Sequence, residues 1–210
     1  MSTPFNEWPE RRYQLAIDFG ERIFLLLLFA SFVVRIVISL DLHPYNVLVL
    51  ISEGLIAFFI VIRRPAQVMT MRPRDWLIAL GGTAFAMCVQ PGGQPLLPPI
   101  IGTSLMFIGL LFAIWAKLIL RRSFGLAAAN RGAVVAGPYR LVRHPMYAGY
   151  VIVYAGFVLN NPLLWNFAVY SVVMVLLVMR VLAEERILMG DPAYDAYSRQ
   201  VRFRLLPALF

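Results

Sequence analysis

The chain has 210 residues, of which 60% are hydrophobic and only 14% charged, and its formal net charge is +8. Soluble domains average roughly 45–50% apolar and about 25% charged residues, so this composition excludes an ordinary soluble fold and favours a lipid environment. The basic residues form no single block and do not alternate with aromatic residues on a polar face, so no nucleic-acid partner is expected. The lone Cys88 excludes an internal disulfide and a multi-cysteine metal site, and no metal is expected.

The predicted elements are six membrane-spanning helices, because six apolar stretches approach the roughly 20 residues that a span requires. In chain order they cover residues 22–40, 45–62, 76–90, 99–120, 146–160 and 162–182. The third and fifth stretches are short, so their full crossing of the bilayer is the weakest part of this prediction. The predicted fold class is all-α, a polytopic helical bundle in the membrane.

The distribution of Lys and Arg predicts the orientation of this bundle. Basic residues concentrate at 11–22, 63–74, 117–143 and 180–204, whereas the linkers 41–44, 91–98 and 160–162 contain none. Because cytosolic loops hold the excess of Lys and Arg, both termini are predicted in the cytosol. Arg35 lies inside the first span, where its side chain can snorkel to the headgroups or pair within the bundle, and snorkelling is favoured over a functional role. The arginine-rich basic set fits a multi-pass protein of a bacterial inner membrane.

One cytosolic segment is unlike an ordinary loop. It reads Gly137-Pro138-Tyr139-Arg140-Leu141-Val142-Arg143-His144-Pro145-Met146-Tyr147-Ala148-Gly149. Pro145 suits the first turn of a helix, so His144 is predicted at the helix start, where free N–H groups suit a carboxylate or phosphate. The alternative interpretation is structural: a topology charge at Arg143 and an aromatic-belt residue at Tyr147.

A second unusual segment follows the last span. It contains Arg180, Glu184, Glu185, Tyr194, Tyr197, Arg202, Arg204 and Pro207. Arg180 and Glu184 are four residues apart and share a helix face, while Glu185 points about 100° around the helix. A solvated helix end is the alternative. The stretch 192–206 mixes aromatic, aliphatic and basic residues, and is predicted to be either an interfacial lid or a basic tail attracted to anionic lipid.

Together these motifs resemble the isoprenylcysteine carboxyl methyltransferase family, which is related to the membrane phospholipid methyltransferases. The resemblance covers about residues 99–207, and residues 1–93 carry no motif that matches it. It implies that S-adenosylmethionine binds in a cytosolic pocket at the end of the last helical hairpin. It also implies a lipophilic acceptor that enters from the bilayer. Residues 99–210 are then the methyltransferase core, and residues 1–98 an amino-terminal region of three spans.

The resemblance also implies roles for individual residues. Arg180 and Glu185 would face the reaction centre. The implied cofactor-binding residues are Tyr139, Leu141, Val142, Arg143, His144, Tyr147, Gly149 and Glu184.

The expected acceptor is a carboxylate, as in isoprenylcysteine carboxyl methylation, with phospholipid amines and small thiols as alternatives. A carboxylate needs no general base because it is already ionised at neutral pH, and Arg180 could orient it. An amine or thiol would need Glu185 or His144 as a base. Two other classes stay open: an NADPH-dependent membrane reductase resembling sterol reductases, and a non-catalytic membrane protein.

Overall fold

The computed structural model describes residues 7–62, 68–69, 72–120, 129–130 and 134–207. Helices dominate, as predicted: α1 Glu7–Ser39, α2 Val47–Ile62, α3 Pro73–Ala86, α4 Pro99–Leu120, α5 Pro145–Asn160, α6 Leu164–Leu188 and α7 Pro192–Gln200. Short 3-10 turns, Pro44–Asn46 and Gly137–Arg140, precede α2 and α5. Strands β1 (Val68–Met69) and β2 (Ala129–Asn130) pair antiparallel with Val68 opposite Asn130, a two-residue ladder that the sequence did not predict.

Proline marks the start of four helices. Residues Pro73, Pro99, Pro145 and Pro192 each occupy the first position of their helix. Proline is tolerated there because its missing N–H would have no intrahelical partner, and its fixed φ already suits a helix. At α7, the carboxylate of Asp191 also accepts the N–H of Ala193 at 2.9 Å, which caps the first turn. The positions of these helix starts are therefore encoded locally.

Three helices in the described part of the chain are long and apolar enough to cross a membrane: residues Arg22–Ser39 of α1, Pro99–Leu120 and Leu164–Leu188. Together with the methyltransferase-like motifs, they indicate an integral membrane protein. Helices α2, α3 and α5 have 16, 14 and 16 residues, short of the roughly 20 that a perpendicular span needs. Each predicted span corresponds to a helix, but six crossings stay a prediction.

Several sequence predictions fall partly outside the described residues. The basic residues at 63–64, 121–122 and 131, which support the predicted orientation, belong to this group, as do both chain ends at 1–6 and 208–210. The orientation therefore stays a prediction. So does the division of the chain at residue 98, although α3 packs along α6 and α2 contacts α4, so that the two predicted regions share one bundle.

Helices α4 and α5 pack at very close range along a line of glycines. A Cβ atom added to Gly109 would lie 2.7 Å from the carbonyl oxygen of Gly149, and one added to Gly149 would lie 2.8 Å from the Cβ of Ala113. No side chain fits at such distances, so the two backbones approach directly, as small residues allow between membrane helices. Gly102 and Gly156 repeat the arrangement two turns further along. This pairing holds the start of α5 in place.

Four buried asparagines tie the helices together at one end of the bundle, and we call this region the amide end: Asn46, Asn160, Asn161 and Asn166. The Nδ2 group of Asn166 donates to the carbonyl oxygens of Gln90 and Asn161, both at 2.8 Å, and its Oδ1 accepts the N–H of Gln90 at 2.9 Å. Asn161 likewise donates to Asn46 Oδ1 at 3.1 Å and accepts the N–H of Gly92 at 3.0 Å. These bonds join the start of α2, the α3–α4 loop and the α5–α6 turn.

Arg35 is close to the same end of the bundle. Its guanidinium donates a hydrogen bond to the carbonyl oxygen of Met87, just past the end of α3. Carbonyl groups at a helix end lack intrahelical donors, so a cation there is well placed. Arg35 therefore pairs inside the bundle. Cys88 is half-buried nearby, and its thiol donates to the carbonyl oxygen of Ala84 at 3.3 Å.

Candidate functional site

The candidate site lies at the other end of the bundle, where three segments meet: residues 141–144 before α5, the last turns of α6, and residues 201–206 after α7. The backbone N–H groups of Arg143 and His144 donate to the carbonyl oxygens of Phe203 and Arg204, at 2.9 and 2.8 Å. These two bonds hold the carboxyl-terminal segment across the start of α5. Side chains far apart in the sequence are thereby brought together, and we call the group the charged cluster: Arg143, His144, Arg180, Glu184, Glu185 and Arg204.

His144 occupies the centre of the charged cluster and is the N-cap residue of α5, as the following proline predicted. Its imidazole is buried and lies between two carboxylates. Its Nδ1 is 3.7 Å from Oε2 of Glu184, and its Nε2 is 3.3 Å from Oε1 of Glu185. The ring also stacks on that of Tyr147, with centroids 5.8 Å apart. His144 thus links the two adjacent acids of α6.

Glu185 is paired with three other residues of the cluster. Besides His144, its carboxylate contacts Arg143 Nε at 3.1 Å and Arg204 Nε at 2.6 Å. Only 4% of Glu185 is exposed, and a buried carboxylate needs such partners because its desolvation is costly. Arg204 is a site residue that the sequence prediction missed. In the sequence, Arg204 is one of several basic residues in a carboxyl-terminal segment, and such a residue could equally belong to a solvated tail.

Glu184 organises the opposite side of the cluster. Its Oε1 accepts the Nε–H of Arg180 at 3.2 Å and the hydroxyl hydrogen of Tyr147. The guanidinium of Arg180 lies over the ring of Tyr147, 5.1 Å from the centroid, which suits a cation–π contact. The predicted sharing of a helix face by Arg180 and Glu184 is confirmed. Glu185, one residue on, reaches Arg143 and Arg204 instead.

Three tyrosines join the 3-10 turn to α7 beside this cluster. The hydroxyl of Tyr197 donates to the carbonyl oxygen of Tyr139 at 2.6 Å. Burial raises the pKa of the Tyr139, Tyr194 and Tyr197 phenols above its ordinary value, so all three stay neutral over the physiological range. The segment 192–206 therefore packs on the site through buried aromatic rings, and its role as an interfacial lid stays a prediction.

Three residues of the predicted cofactor set contribute no side chain to the charged cluster. The side chain of Leu141 is 58% exposed, and that of Val142 is buried in the turn. Gly149 packs against Gly109 and Ala113 of α4, where it serves the helix–helix contact. The helical packing does not test the predicted cofactor roles of Leu141, Val142 and Gly149, so these roles stay predictions.

A cavity of about 40 Å³ extends from the cluster into the bundle between α2, α3, α5 and α6. Arg180 and Tyr147 line the end of the cavity that adjoins the cluster, and Glu53, Thr83 and Tyr154 also line it. Sequence reasoning missed Glu53 because a single acid in an apolar run of α2 belongs to no motif. The cavity places polar groups inside an otherwise apolar set of helices.

Residues 98–191 match the family model described as phospholipid methyltransferase. This part of the chain is therefore similar to the phospholipid methyltransferase family. That family includes the isoprenylcysteine carboxyl methyltransferases, so the resemblance predicted from the motifs is confirmed. No curated protein matches the chain. The matched region contains α4 to α6 and five of the six cluster residues, while Arg204 and α7 follow it.

Family methyltransferases generally use S-adenosylmethionine, and the cluster has the chemistry to hold it. The amino-acid end of that molecule carries an ammonium, a carboxylate and a neighbouring sulfonium, so its site needs acids and bases together. The cluster supplies two carboxylates and three guanidinium groups within one network. The hydroxyl of Tyr194 is buried near Glu185 and has no hydrogen-bond partner among the described residues. This orphaned group is available to a ligand, and the residues present therefore fit the cofactor.

Proposed function

We propose that the protein transfers a methyl group from S-adenosylmethionine to a lipophilic acceptor that reaches the site from the bilayer. The observation that carries this proposal is the junction of two unlike environments. A buried cluster of both charge signs, inside a methyltransferase family domain, opens into a cavity between apolar helices. The first environment suits a zwitterionic cofactor, and the second suits the reacting end of a molecule dissolved in lipid.

When bound, S-adenosylmethionine supplies an electrophilic methyl group attached to a sulfonium. The residues of the chain then have to hold and align the reactants, and such positioning is worth up to about 7–11 kcal/mol of the barrier. Tyr139, Arg143, His144, Tyr147 and Glu184 are the proposed cofactor-binding side chains. Arg180 and Glu185 are the proposed residues at the reaction centre, since Arg180 belongs both to the cluster and to the cavity wall.

The proposed membrane arrangement follows from the distribution of charge. Six crossings with both chain ends in the cytosol would place the charged cluster on the cytosolic side, where a water-soluble cofactor is available. The amide end would then face the opposite side of a bacterial inner membrane. The carboxylate acceptor expected from the family resemblance stays a prediction, and the cavity itself argues for a different acceptor chemistry, given below.

Calorimetric titration with S-adenosylhomocysteine, the expected product, tests the cofactor assignment. The purified protein in detergent should bind it saturably, and Glu184→Ala should weaken binding by at least about tenfold, because one carboxylate anchors both Arg180 and Tyr147. The matched control is Asp195→Ala, which removes a surface acid of α7 and should leave the affinity unchanged.

A parallel titration with NADPH separates the competing classes. Binding of NADPH alone would move the protein to the reductases, and binding of neither molecule would favour a non-catalytic role. Saturable binding of S-adenosylhomocysteine with equal affinity in Glu184→Ala would remove Glu184 from the pocket while keeping the function.

A further inference from the structure

We propose that the cavity between α2, α3, α5 and α6 binds the reacting end of the acceptor, and that Glu53 accepts a hydrogen bond from it. The acceptor group therefore carries an N–H, O–H or S–H bond and is not a carboxylate. This inference rests on the proposed methyltransferase function and names the chemical class of its second substrate.

Glu53 is the observation that carries the inference. It lies on α2, only 1% of it is exposed, and it lines the cavity. Within the described part of the chain, neither of its carboxylate oxygens has a hydrogen-bond partner. Buried polar groups in native proteins are nearly always paired, because an unpaired one loses its hydration without compensation. A ligand in the cavity is the partner that the geometry leaves room for.

The other polar groups of the cavity show which kind of ligand fits. The hydroxyl hydrogen of Thr83 is used on the carbonyl oxygen of Ala79 at 3.1 Å, so its oxygen faces the cavity as an acceptor. The hydroxyl of Tyr150 is buried and has no partner among the described residues. The Glu53 carboxylate and the Thr83 oxygen can accept a hydrogen bond, and the Tyr150 hydroxyl can donate one. A ligand group that both donates and accepts, as an amine, alcohol or thiol does, complements this set, whereas a carboxylate can only accept.

The charges around the cavity point the same way. The ammonium of Lys117 lies over the ring of Tyr150, and Lys117 is not among the described residues that line the cavity. At the other end, Arg180 is already paired with Glu184. A carboxylate acceptor would therefore offer only lone pairs to Glu53, whereas an amine, alcohol or thiol would offer it a hydrogen.

The size and position of the cavity define the part of the acceptor that it holds. A volume of about 40 Å³ accommodates roughly three water-sized groups, so only the reacting end of a lipophilic molecule fits and its chain must lie among the helices or in lipid. Glu53 precedes the matched domain of residues 98–191. The amino-terminal helices thus select the acceptor, and the family domain holds the cofactor.

The experiment compares four ligands that share one chain length: octylamine, octanol, octanethiol and octanoate. Each is titrated calorimetrically into the full-length protein in lipid nanodiscs, with empty nanodiscs as the reference for partitioning. At least one of the three proton-bearing ligands should bind about tenfold or more tightly than octanoate. The tightest of the three identifies the acceptor as an amine, an alcohol or a thiol. Octanoate binding as tightly as the best of them would overturn the inference, and this comparison needs no variant.

Variants of Glu53 then test the residue itself. Glu53→Gln removes the charge at constant shape, and Glu53→Leu removes the acceptor atoms as well. In both variants, the ratio of the affinity for the tightest proton-bearing ligand to the affinity for octanoate should fall by about tenfold. The affinity for S-adenosylhomocysteine should stay unchanged. The control is Ser52→Ala, which alters the neighbouring buried residue that does not line the cavity among the described positions. An unchanged preference in both Glu53 variants would contradict the assignment of Glu53.

Titration of the unmodified protein with S-adenosylhomocysteine separates this inference from the proposed function. Absence of that binding would contradict the methyltransferase proposal, while the ligand comparison would still decide whether the cavity prefers hydrogen-bond donors. Normal binding together with equal affinities for all four octyl ligands would leave the methyltransferase proposal standing and reject the inference.

Discussion

The two ends of the helical bundle are both polar and buried, yet they are built from opposite chemistry. The amide end uses neutral side chains whose hydrogen bonds close on each other, and every polar atom of the Asn161 and Asn166 side chains is paired. The charged cluster uses ion pairs among Arg, His and Glu, beside a cavity lined by Glu53, whose carboxylate accepts no hydrogen bond among the described residues. At the amide end, Asn46 Nδ2 and Asn160 Oδ1 also lack a partner among the described residues, but these are single atoms of neutral groups. Asn161 and Asn166 are fully paired by the protein itself, whereas Glu53 is not.

Burial of polar groups does not by itself identify a functional site. Asn166 and Glu185 are 0% and 4% exposed, and burial would rank the asparagine first. What differs is the consequence of ligand binding. The side chains of Asn161 and Asn166 already make all their hydrogen bonds and would gain nothing by exchanging them for a ligand, whereas ion pairs can re-pair with a charged ligand and the Glu53 carboxylate would gain a partner. Stability and function are therefore separated between the two ends, and four substitutions test the separation.

The largest effect is expected at the charged cluster. Glu185→Gln removes the charge that holds Arg143, His144 and Arg204, so methyl transfer should fall by about 100-fold or more, equivalent to about 2.7 kcal/mol of transition-state stabilisation. Radiolabelled methyl transfer to the acceptor class identified above measures this, and thermal unfolding checks that the protein stays folded. The control is Asp195→Asn, which changes an exposed side chain of α7. Full activity of Glu185→Gln would remove Glu185 from the reaction centre.

At the amide end, a substitution is expected to lower stability and to leave cofactor affinity unchanged. Asn166→Leu deletes three hydrogen bonds and leaves the N–H and carbonyl of Gln90 without their partner, so the free energy of unfolding should fall by about 2–4 kcal/mol. The affinity of the folded protein for S-adenosylhomocysteine should not change. Ser171→Ala, which removes an exposed hydroxyl bond within α6, should alter stability little. A loss of cofactor affinity without a loss of stability would refute the separation of the two ends.

A smaller loss of stability is expected in the middle of the bundle, which both ends share. Gly109→Ala would place a Cβ 2.7 Å from the carbonyl oxygen of Gly149 and force α4 and α5 apart, at a cost of about 1–3 kcal/mol. The matched control is Gly81→Ala on α3, whose Cβ would meet Leu176 at an ordinary 3.7 Å. Chemical unfolding in detergent compares the two. Equal stability of both variants would show that the close α4–α5 contact contributes little.

The smallest effect is expected where α7 meets the 3-10 turn. Tyr197→Phe removes the buried hydrogen bond to the carbonyl oxygen of Tyr139, worth about 1 kcal/mol, and loosens the segment that carries Arg204. Affinity for S-adenosylhomocysteine should fall by about fivefold in a calorimetric titration. Arg199→Ala breaks only the exposed pair with Asp195 and should change the affinity by less than twofold, as surface ion pairs contribute little. Similar results for both variants would argue against the lid.

Much of the fold followed from local patterns in the sequence. Apolar runs located α1 to α6, and Pro145 placed His144 at a helix start, because hydrophobicity and proline geometry act within a few residues. The spacing of Arg180 and Glu184 gave their shared face for the same reason. The sequence left open whether Arg35 snorkels or pairs within the bundle, because its partner, the Met87 carbonyl, is distant in sequence. Of the amide-end asparagines, Asn160 and Asn161 were read only as parts of a linker without basic residues. Asn46 and Asn166 were read only as parts of predicted spans.

The sequence by itself determined a helical membrane protein, the resemblance of its carboxyl-terminal half to a methyltransferase family, and most of the charged cluster. Composition, helix periodicity and ordered motifs are properties of neighbouring residues. Only the tertiary structure decided that Arg204 joins Glu185, that Glu53 lines the cavity beside Arg180, and that Gly149 serves helix packing. These contacts depend on how α2, α4, α5, α6 and the terminal segment lie against each other. Pairings across long sequence separations arise from packing of the whole bundle, and no short motif encodes them.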